Sequence, residues 1–420
     1  MQASTVSLAF CAAVIASLVA KVWLSSRQIR HVHTHRHAVP DAFAGIITLQ
    51  AHQHAADYTI AKARFGLLSE ALATAVLMGW TLLGGLESLN QWLLANVQVR
   101  WGDMAYQLAL FGAFSVLNGL IDLPAELWRV FRIEQQFGFN RVTPGLFIAD
   151  LLKGTLVGTL VGAPLLAAVL WVMGAAGSLW WLWAWALWTG FMLLMQLIWP
   201  TLIAPMFNKF EPLKDTALGE RVQALMQRCG FQVKGFFVMD GSRRSAHGNA
   251  YFAGLGKAKR VVFYDTLLER LSPVEVEAVL AHELGHFHHR HVITRMALVI
   301  GMSLAALALL GWLAQQTGFY LGLGVSPNLG AANDGMALML FTLAVPPFAF
   351  FVSPLMARSS RKAEFEADAY ASAQSSGPAL AAALLKLYQD NASTLTPDPL
   401  YARFYYSHPP ASERLAALPR

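Results

Sequence analysis

Residues 154–208 read GTLVGTLVGAPLLAAVLWVMGAAGSLWWLWAWALWTGFMLLMQLIWPTLIAPMFN and contain no charged side chain. A membrane-spanning helix needs about 20 consecutive apolar residues, so this stretch is long enough for two. Residues 174–178 are small and supply the turn between them. Seven of the 13 tryptophans lie here, which is typical of side chains that anchor helices at membrane interfaces. A lipid bilayer is therefore the predicted solvent for much of the chain.

The composition of the whole chain agrees with this prediction. Of its 420 residues, 56% are hydrophobic and 13% are charged, about half the charged share of an ordinary globular protein. Such a chain is too apolar to be disordered. The net charge of +6 does not indicate nucleic-acid binding, because the basic residues cluster in loops between apolar stretches. The two cysteines, Cys11 and Cys229, are predicted to be free thiols.

Five further apolar stretches bring the number of predicted spans to seven: residues 1–20, 71–86, 104–121, 297–314 and 335–357. The first is followed, not preceded, by its positive charge, which predicts a retained span with the N-terminus outside. All but Arg100 of the 31 Lys and Arg residues then fall on the inner side. The polar segments and the C-terminus are therefore predicted to be cytoplasmic. The Ala/Leu/Trp-rich composition suits a bacterial inner membrane. Pro346 and Pro347 are expected to kink the last span.

One polar segment carries a metal-binding pattern. Residues 271–286 read LSPVEVEAVLAHELGH, in which Ser272 and Glu275 form a capping box at the start of a helix. That helix places His282 and His286 one turn apart, a spacing at which two imidazoles can bind one zinc ion. Glu283 lies beside them and can take a proton from the attacking water. The alternative is a surface helix with incidental histidines, which the good cap and the continuation into the sixth span disfavour.

A third ligand is expected from the second polar segment, where residues 360–368 read SRKAEFEAD. Glu364 and Asp368 are one helical turn apart, so one carboxylate can bind the metal while the other orients a ligand histidine. Spacing alone does not separate this arrangement from an acidic helix that faces water. Glu366 falls on the opposite side of such a helix, and no role is predicted for it.

Together these motifs resemble the type I CAAX prenyl endopeptidases, which are membrane gluzincin metallopeptidases. The resemblance extends over essentially the whole chain. The segments DLPA at 122–125 and IEQQFGFN at 133–140 resemble the N-terminal membrane region of that family. The segments DGS at 240–242, HGNAYF at 247–252 and RVVFYD at 260–265 resemble its catalytic strands. SHPP at 407–410 and ERL at 413–415 resemble its C-terminal end.

The resemblance implies one Zn²⁺ per chain, bound by His282, His286 and Glu364. It also implies that Glu283 is the general base and that Asp368 is a partner of a ligand histidine.

The resemblance further implies a substrate-binding strand and an oxyanion site. Residues Asn249, Ala250, Tyr251 and Phe252 would form an edge strand that pairs with the substrate backbone. His408 and Arg414 match the C-terminal pattern and are candidates for stabilising the oxyanion. The alternative for His408 is an ordinary turn residue beside two prolines.

Two other groups of histidines are not needed for this site. His288, His289 and His291 are predicted to face solvent or lipid headgroups. The alternative is that His289, three residues beyond His286, approaches the site. His291 also matches the pattern of the family that the chain resembles. The alternating histidines at 31, 33, 35 and 37 are predicted to form a polar loop, with a second metal site or a pH sensor as the alternative.

The predicted fold is mainly α, a seven-helix transmembrane bundle with a small cytoplasmic α+β, zincin-like catalytic domain. Short strands are expected at 233–240, 249–254 and 259–265. The predicted regions are an N-terminal membrane region with five spans (1–200), a cytoplasmic catalytic segment with the metal-binding helix (201–296), two further spans (297–357), and a C-terminal catalytic segment with the third ligand (358–420).

The predicted function is hydrolysis of peptide bonds in membrane-associated or C-terminally prenylated (CAAX-type) substrates. The partners are a peptide or membrane-protein substrate and the bilayer, with no nucleic acid. One alternative is a quality-control protease for membrane proteins that does not depend on prenylation. Another is a zinc-containing membrane transporter, which the nearly charge-free spans disfavour. A catalytically inactive scaffold is disfavoured by the presence of Glu283.

Overall fold

The computed structural model describes residues 1–232, 235–253 and 260–418 and is mainly helical, with one small sheet. The helices are α1 (Ala3–His35), α2 (Leu49–Trp80), α3 (Gly85–Leu93), α4 (Val99–Trp128), α5 (Pro144–Ala175), α6 (Trp180–Ile198), α7 (Ala204–Phe207), α8 (Thr216–Arg228), α9 (Asp265–Leu268), α10 (Pro273–His288), α11 (His291–Leu313), α12 (Thr317–Gly322), α13 (Asp334–Ala349), α14 (Ser353–Gln374), α15 (Gly377–Asp390), α16 (Pro399–Tyr405) and α17 (Ala411–Ala417). The strands are β1 (Phe210–Pro212), β2 (Phe236–Met239), β3 (Ala250–Ala253) and β4 (Arg260–Tyr264).

Six helical segments among the described residues are long and apolar enough to cross a membrane, which makes this a multi-pass membrane protein. They contain α1, α4, α5, α6, α11 and α13, and so they include six of the seven predicted spans. The predicted turn at 174–178 is confirmed, because α5 ends at Ala175 and a 3₁₀ turn, Gly177–Leu179, leads into α6.

The second predicted span, at 71–86, differs from the structure. Helix α2 ends at Trp80, and Gly84, with φ +83°, closes a turn before α3 begins at Gly85. Helix α2 packs along α1, but it is not among the six apolar segments, since Arg64 and Glu70 interrupt its apolar part. The prediction of seven spans is therefore not confirmed.

The kink expected at Pro346 and Pro347 stays a prediction, whereas the loop expected at 31–37 differs from the structure. Helix α13 continues through Pro346 and Pro347 to Ala349, and a 3₁₀ turn, Phe350–Val352, then leads into α14. The prediction of a polar loop at 31–37 is wrong, because α1 remains helical as far as His35. Residues 31–35 contain neither Gly nor Pro to end the helix.

The sheet confirms the predicted strands where they lie within the described residues; positions 233, 234, 254 and 259 lie outside them. Its order is β1-β2-β4-β3, with β2 and β4 parallel and the other two pairs antiparallel. Strand β3 therefore lies at one edge of the sheet. Strand β1 was not predicted, since three residues containing a proline give no strand pattern.

Helix α10 is the centre of the predicted catalytic region. Its apolar face packs with α8, α15 and β4 in one buried cluster. Glu277 binds Arg221 at 2.6 Å and Arg228 at 2.8 Å, both from α8. The predicted capping box of Ser272 and Glu275 is present at its start. These contacts fix both the position and the rotation of the helix that carries the paired histidines.

Helix α10 also approaches α14 very closely. A Cβ atom on Gly285 would lie 2.8 Å from Ala367 Cα and 3.0 Å from Ala367 O. Only glycine therefore permits this separation of the two helices. As a result, side chains of α14 reach the two imidazoles that flank Gly285 in the sequence.

The catalytic region is also joined to the membrane region by specific contacts. Arg244 forms a bidentate ion pair with Asp150 at the start of α5, with distances of 2.8 and 2.9 Å. The ring of Phe139 stacks on the imidazole of His247 with centroids 4.5 Å apart. The segment that leads into β3 is therefore held against residues that follow α4.

Candidate metal centre

Three side chains from two helices converge at one point. His282 and His286 come from α10 and Glu364 comes from α14, and one ligand atom of each lies within 4.8 Å of the others. His282 Nε2 is 3.4 Å from Glu364 Oε2, and His286 Nε2 is 3.4 Å from Glu364 Oε1. In the described part of the chain, this is the group of three metal-ligand side chains that the fold brings together.

The chemistry of this group fits a divalent metal ion. Glu364 Oε2 is buried and makes no hydrogen bond to the described residues, a costly arrangement for a carboxylate oxygen without a further partner. A cation held between the carboxylate and the two Nε2 atoms would satisfy it. Two imidazoles and one carboxylate are donors that zinc takes at catalytic sites, where a fourth position stays open to water or substrate.

His282 is held from behind by a buried ion pair. Its Nδ1 is 2.8 Å from Asp368 Oδ1, so Nδ1–H donates to the carboxylate and Nε2 is left free for a metal. Arg414 donates to the same carboxylate from Nε and Nη2. Burial alone would lower the pKa of His282, but its hydrogen bond to Asp368 and the nearby Glu364 carboxylate outweigh burial and raise that pKa to about 9.

His286 is held by a second chain of contacts, which the sequence did not indicate. Its Nδ1 is 3.0 Å from His291 Nδ1, and His291 Nε2 is 2.8 Å from Glu366 Oε2. With Nε2 of His286 free for a metal, His286 donates to His291, and His291 donates to Glu366. The expectation that His291 faces solvent or headgroups is wrong, and Glu366, for which no role was predicted, is its partner.

A local turn explains why sequence spacing missed this contact. Arg290 has φ +57°, which ends α10 and directs the chain into α11. His291 thereby turns back towards His286, whereas a continuous helix would carry it away. The available signals were the cluster of histidines and the match of His291 to the family pattern, and neither shows where a helix breaks.

Glu283 follows His282 on α10 and is half-buried. Burial raises its pKa above that of an ordinary glutamate, and the neighbouring Glu364 carboxylate acts in the same direction, whereas His282 and His286 oppose it. A more basic carboxylate is a better proton acceptor near neutral pH.

The two C-terminal candidates occupy different positions. His408 Nε2 is 3.3 Å from Glu364 Oε1, and its side chain remains 62% exposed. His408 therefore reaches the ligand cluster and is more than a turn residue. Arg414 is buried, and its Nη1 is 3.6 Å from Glu364 Oε2, but its strongest contacts are with Asp368.

Of the four predicted substrate-binding residues, Asn249 lines a large cavity and Tyr251 lines a second, smaller one. Ala250–Ala253 pair with β4 on one side only, so the other edge of β3 has no partner strand among the described residues. The backbone oxygen of Asn249 accepts a hydrogen bond from Tyr264 N at 3.0 Å. Asn249, His408 and Arg414 all line a cavity of about 1020 Å³. Tyr251 and Phe252 are half-buried, and Ala250 is buried.

Comparisons with known proteins agree with this arrangement. Residues 28–209 match the family model described as CAAX prenyl protease N-terminal, five membrane helices, and residues 212–420 match peptidase family M48. The chain is 34% identical over 398 residues to CAAX prenyl protease 1 homolog of Oryza sativa subsp. japonica, covering 90% of each. It is 34% identical to CAAX prenyl protease 1 of Saccharomyces cerevisiae, covering 86% of this chain and 84% of that protein.

The fold is also that of a solved relative. The crystal structure of S. mikatae Ste24p superimposes with a TM-score of 0.92 at 30% sequence identity and covers 99% of both chains. The similarity extends through the membrane helices and the metal centre alike, which favours a protease over a transporter or a scaffold. By its motifs, its sequence relatives and its fold, the chain belongs to the CAAX prenyl proteases, the membrane metalloproteases of peptidase family M48.

Proposed function

We propose that the protein is a zinc endopeptidase that cleaves membrane-associated peptides, including C-terminally prenylated CAAX-type substrates. The observation that carries the proposal is the cluster of His282, His286 and Glu364 beside a cavity, with Glu283 next to His282 on α10. Strand β3 adds an edge that has no partner strand among the described residues. The protease names of the relatives support the reaction, and their CAAX names support the substrate class.

His282, His286 and Glu364 would hold one Zn²⁺. When bound, zinc supplies Lewis acidity, which lowers the pKa of a coordinated water and polarises the scissile carbonyl. This ligand set is supported by the two Nε2 atoms and by the buried Glu364 Oε2, which has no hydrogen bond to the described residues.

The other residues of the site have distinct roles. Glu283 takes the proton of the attacking water and returns it to the leaving amine nitrogen. The ring N–H of His408, exposed to the cavity, donates to the developing oxyanion. We give Arg414 a positioning role, because its guanidinium holds Asp368, which in turn orients His282. Asn249, Ala250, Tyr251 and Phe252 bind the substrate backbone along β3.

We further propose that α2 crosses the membrane as a seventh span in contact with α1. The predicted regions 1–200, 201–296, 297–357 and 358–420 then alternate between membrane and cytoplasm, with the N-terminus outside and the catalytic region and C-terminus inside. The distribution of Lys and Arg supports this orientation, and the composition supports a bacterial inner membrane.

Glu283→Gln tests the mechanism. The substitution removes the base and leaves all three ligands, so zinc content should be unchanged while cleavage of a quenched farnesylated peptide falls by at least about a hundredfold. Glu269→Gln, an exposed position just before α10, is the matched control and should cleave normally. Cleavage by Glu283→Gln at the wild-type rate would contradict the assignment.

A further inference from the structure

The cavity beside the metal centre has a second wall, formed by helices α1 and α2. The residues facing it there include Lys21, Tyr58, Lys62 and Glu70. A substrate bound at the metal centre would therefore extend towards charged side chains of the membrane region.

The cations of this cavity differ in how they are neutralised. Lys21 Nζ lies 2.7 Å from Glu70 Oε2, and Arg414 is paired with Asp368. Lys62 has no ion pair with any described residue. Its ammonium donates to Tyr58 Oη at 3.4 Å and lies 4.5 Å from the centre of the Tyr58 ring.

Tyr58 does not neutralise Lys62. The Tyr58 hydroxyl donates to both carboxylate oxygens of Glu134, at 2.9 Å each, so Glu134 reaches Lys62 only through the phenol. Lys62 therefore presents a positive charge with spare donors to the cavity. A cation of this kind is suited to an anionic group of a bound molecule.

A chain of ring contacts connects Lys62 with the substrate strand. His247, two residues before Asn249, stacks on Phe139 at 4.5 Å, and Phe139 contacts Tyr58 at 4.8 Å. Tyr58 in turn carries the Lys62 ammonium over its ring. Three short contacts thus separate Lys62 from the segment that begins β3. An extended peptide of about four residues covers such a path.

Strand direction decides which end of a peptide enters the cavity. A peptide that pairs antiparallel with β3, the more stable of the two ladders, runs from the Ala253 end towards the Ala250 end. Its C-terminal part therefore leaves the strand beside Asn249, where the cavity begins. The C-terminal part of the substrate is therefore the part that lies near Lys62.

We propose that Lys62 binds the C-terminal carboxylate of the substrate, a few residues beyond the scissile bond. This inference rests on the proposed function and names the group by which the same site recognises its substrate.

The test uses one farnesylated quenched peptide, with a cysteine followed by three residues, made both as the free acid and as the C-terminal amide. The wild type should cleave the free acid with a kcat/KM at least about tenfold higher, mostly through KM. Lys62→Gln should lower cleavage of the acid to the level of the amide and leave the amide unchanged, and Lys62→Arg should retain most of the preference. Arg64→Gln, an exposed cation on the same helix that does not line the cavity, should behave as wild type.

The possible outcomes are distinguishable. Equal cleavage of acid and amide by the wild type would overturn the role of Lys62. Equal loss of both activities in Lys62→Gln would also overturn it, and would indicate a structural or lipid-binding lysine. Cleavage of neither peptide by zinc-loaded wild type would contradict the proposed function itself.

Discussion

The two imidazoles of the metal centre are supported in different ways. Behind His282 lies Asp368, whose side chain is 4% exposed and which Arg414 also holds. Behind His286 lies His291, followed by Glu366, whose side chain is 38% exposed. His282 is thus supported by a buried ion pair, whereas His286 is supported by two successive hydrogen bonds that end at a partly exposed carboxylate.

This difference in burial indicates which of the two histidine ligands is held more firmly in one orientation. A buried carboxylate cannot exchange its partners for water, so its hydrogen bond to a ligand holds one tautomer and one ring direction. A half-exposed carboxylate competes with water and contributes little. We therefore expect the His282 side to dominate metal affinity, and four experiments probe this asymmetry.

Asp368→Asn should have the largest effect. It removes the carboxylate that orients His282 and leaves Arg414 buried without its main partner. Zinc affinity should fall about 10–100-fold, and the free energy of unfolding should fall by about 3–5 kcal/mol. Metal titration and thermal unfolding in detergent measure the two effects. Wild-type zinc affinity in Asp368→Asn would contradict the expectation that the support of His282 dominates metal affinity.

Gly285→Ala should come next, because it disturbs both sides at once. The added methyl group would overlap Ala367 and push α14 away from α10, at a cost of about 1–3 kcal/mol, and Glu364 would withdraw from both histidines. Gly219→Ala in α8 is the control, since a Cβ there meets nothing within 4 Å. If the two variants have the same zinc affinity and the same free energy of unfolding, the close contact between α10 and α14 does not determine the geometry of the metal centre.

The pH dependence of zinc binding should report the loss of a proton from His282. Because the metal-free pKa of His282 is about 9, its ring is protonated at pH 7 and must lose that proton to bind metal. Zinc affinity should therefore rise about tenfold per pH unit until pH approaches 9. Calorimetry in buffers of different ionisation enthalpy should detect the released proton in wild type and in Glu366→Gln. Asp368→Asn lacks the carboxylate that raises this pKa, so it should release less of a proton when zinc binds. Unchanged proton release would show that Asp368 does not cause the raised pKa of His282.

Glu366→Gln should have the smallest effect. Its carboxylate is partly solvated, and exposed ion pairs contribute at most about 1 kcal/mol, so zinc affinity should change by no more than about fivefold. This variant and Asp368→Asn lose the same charge two residues apart on α14. A larger loss of zinc affinity in Glu366→Gln than in Asp368→Asn would show that the His286 side contributes more than the His282 side.

Much of the fold followed from local sequence patterns. Charge-free stretches predicted six of the apolar helical segments, and the capping box predicted the start of α10. The family resemblance is confirmed over nearly the whole chain. The arrangement at α2 did not follow, because this helix ends at Trp80, inside the predicted stretch 71–86, and a turn closed by Gly84 follows it.

Within the site, the amino-acid order alone determined that His282 and His286 share one helical face, since 3.6 residues per turn leaves them no other arrangement. It also placed Glu283 beside them. Tertiary structure decided the rest: the approach of Glu364 permitted by Gly285, the burial of Asp368 with Arg414, and the return of His291 after Arg290. The physical reason is the distance along the chain over which each effect acts. Helical periodicity acts over neighbouring turns, whereas these contacts depend on a tight helix crossing, a buried charge and a single left-handed residue, which no spacing along the chain encodes.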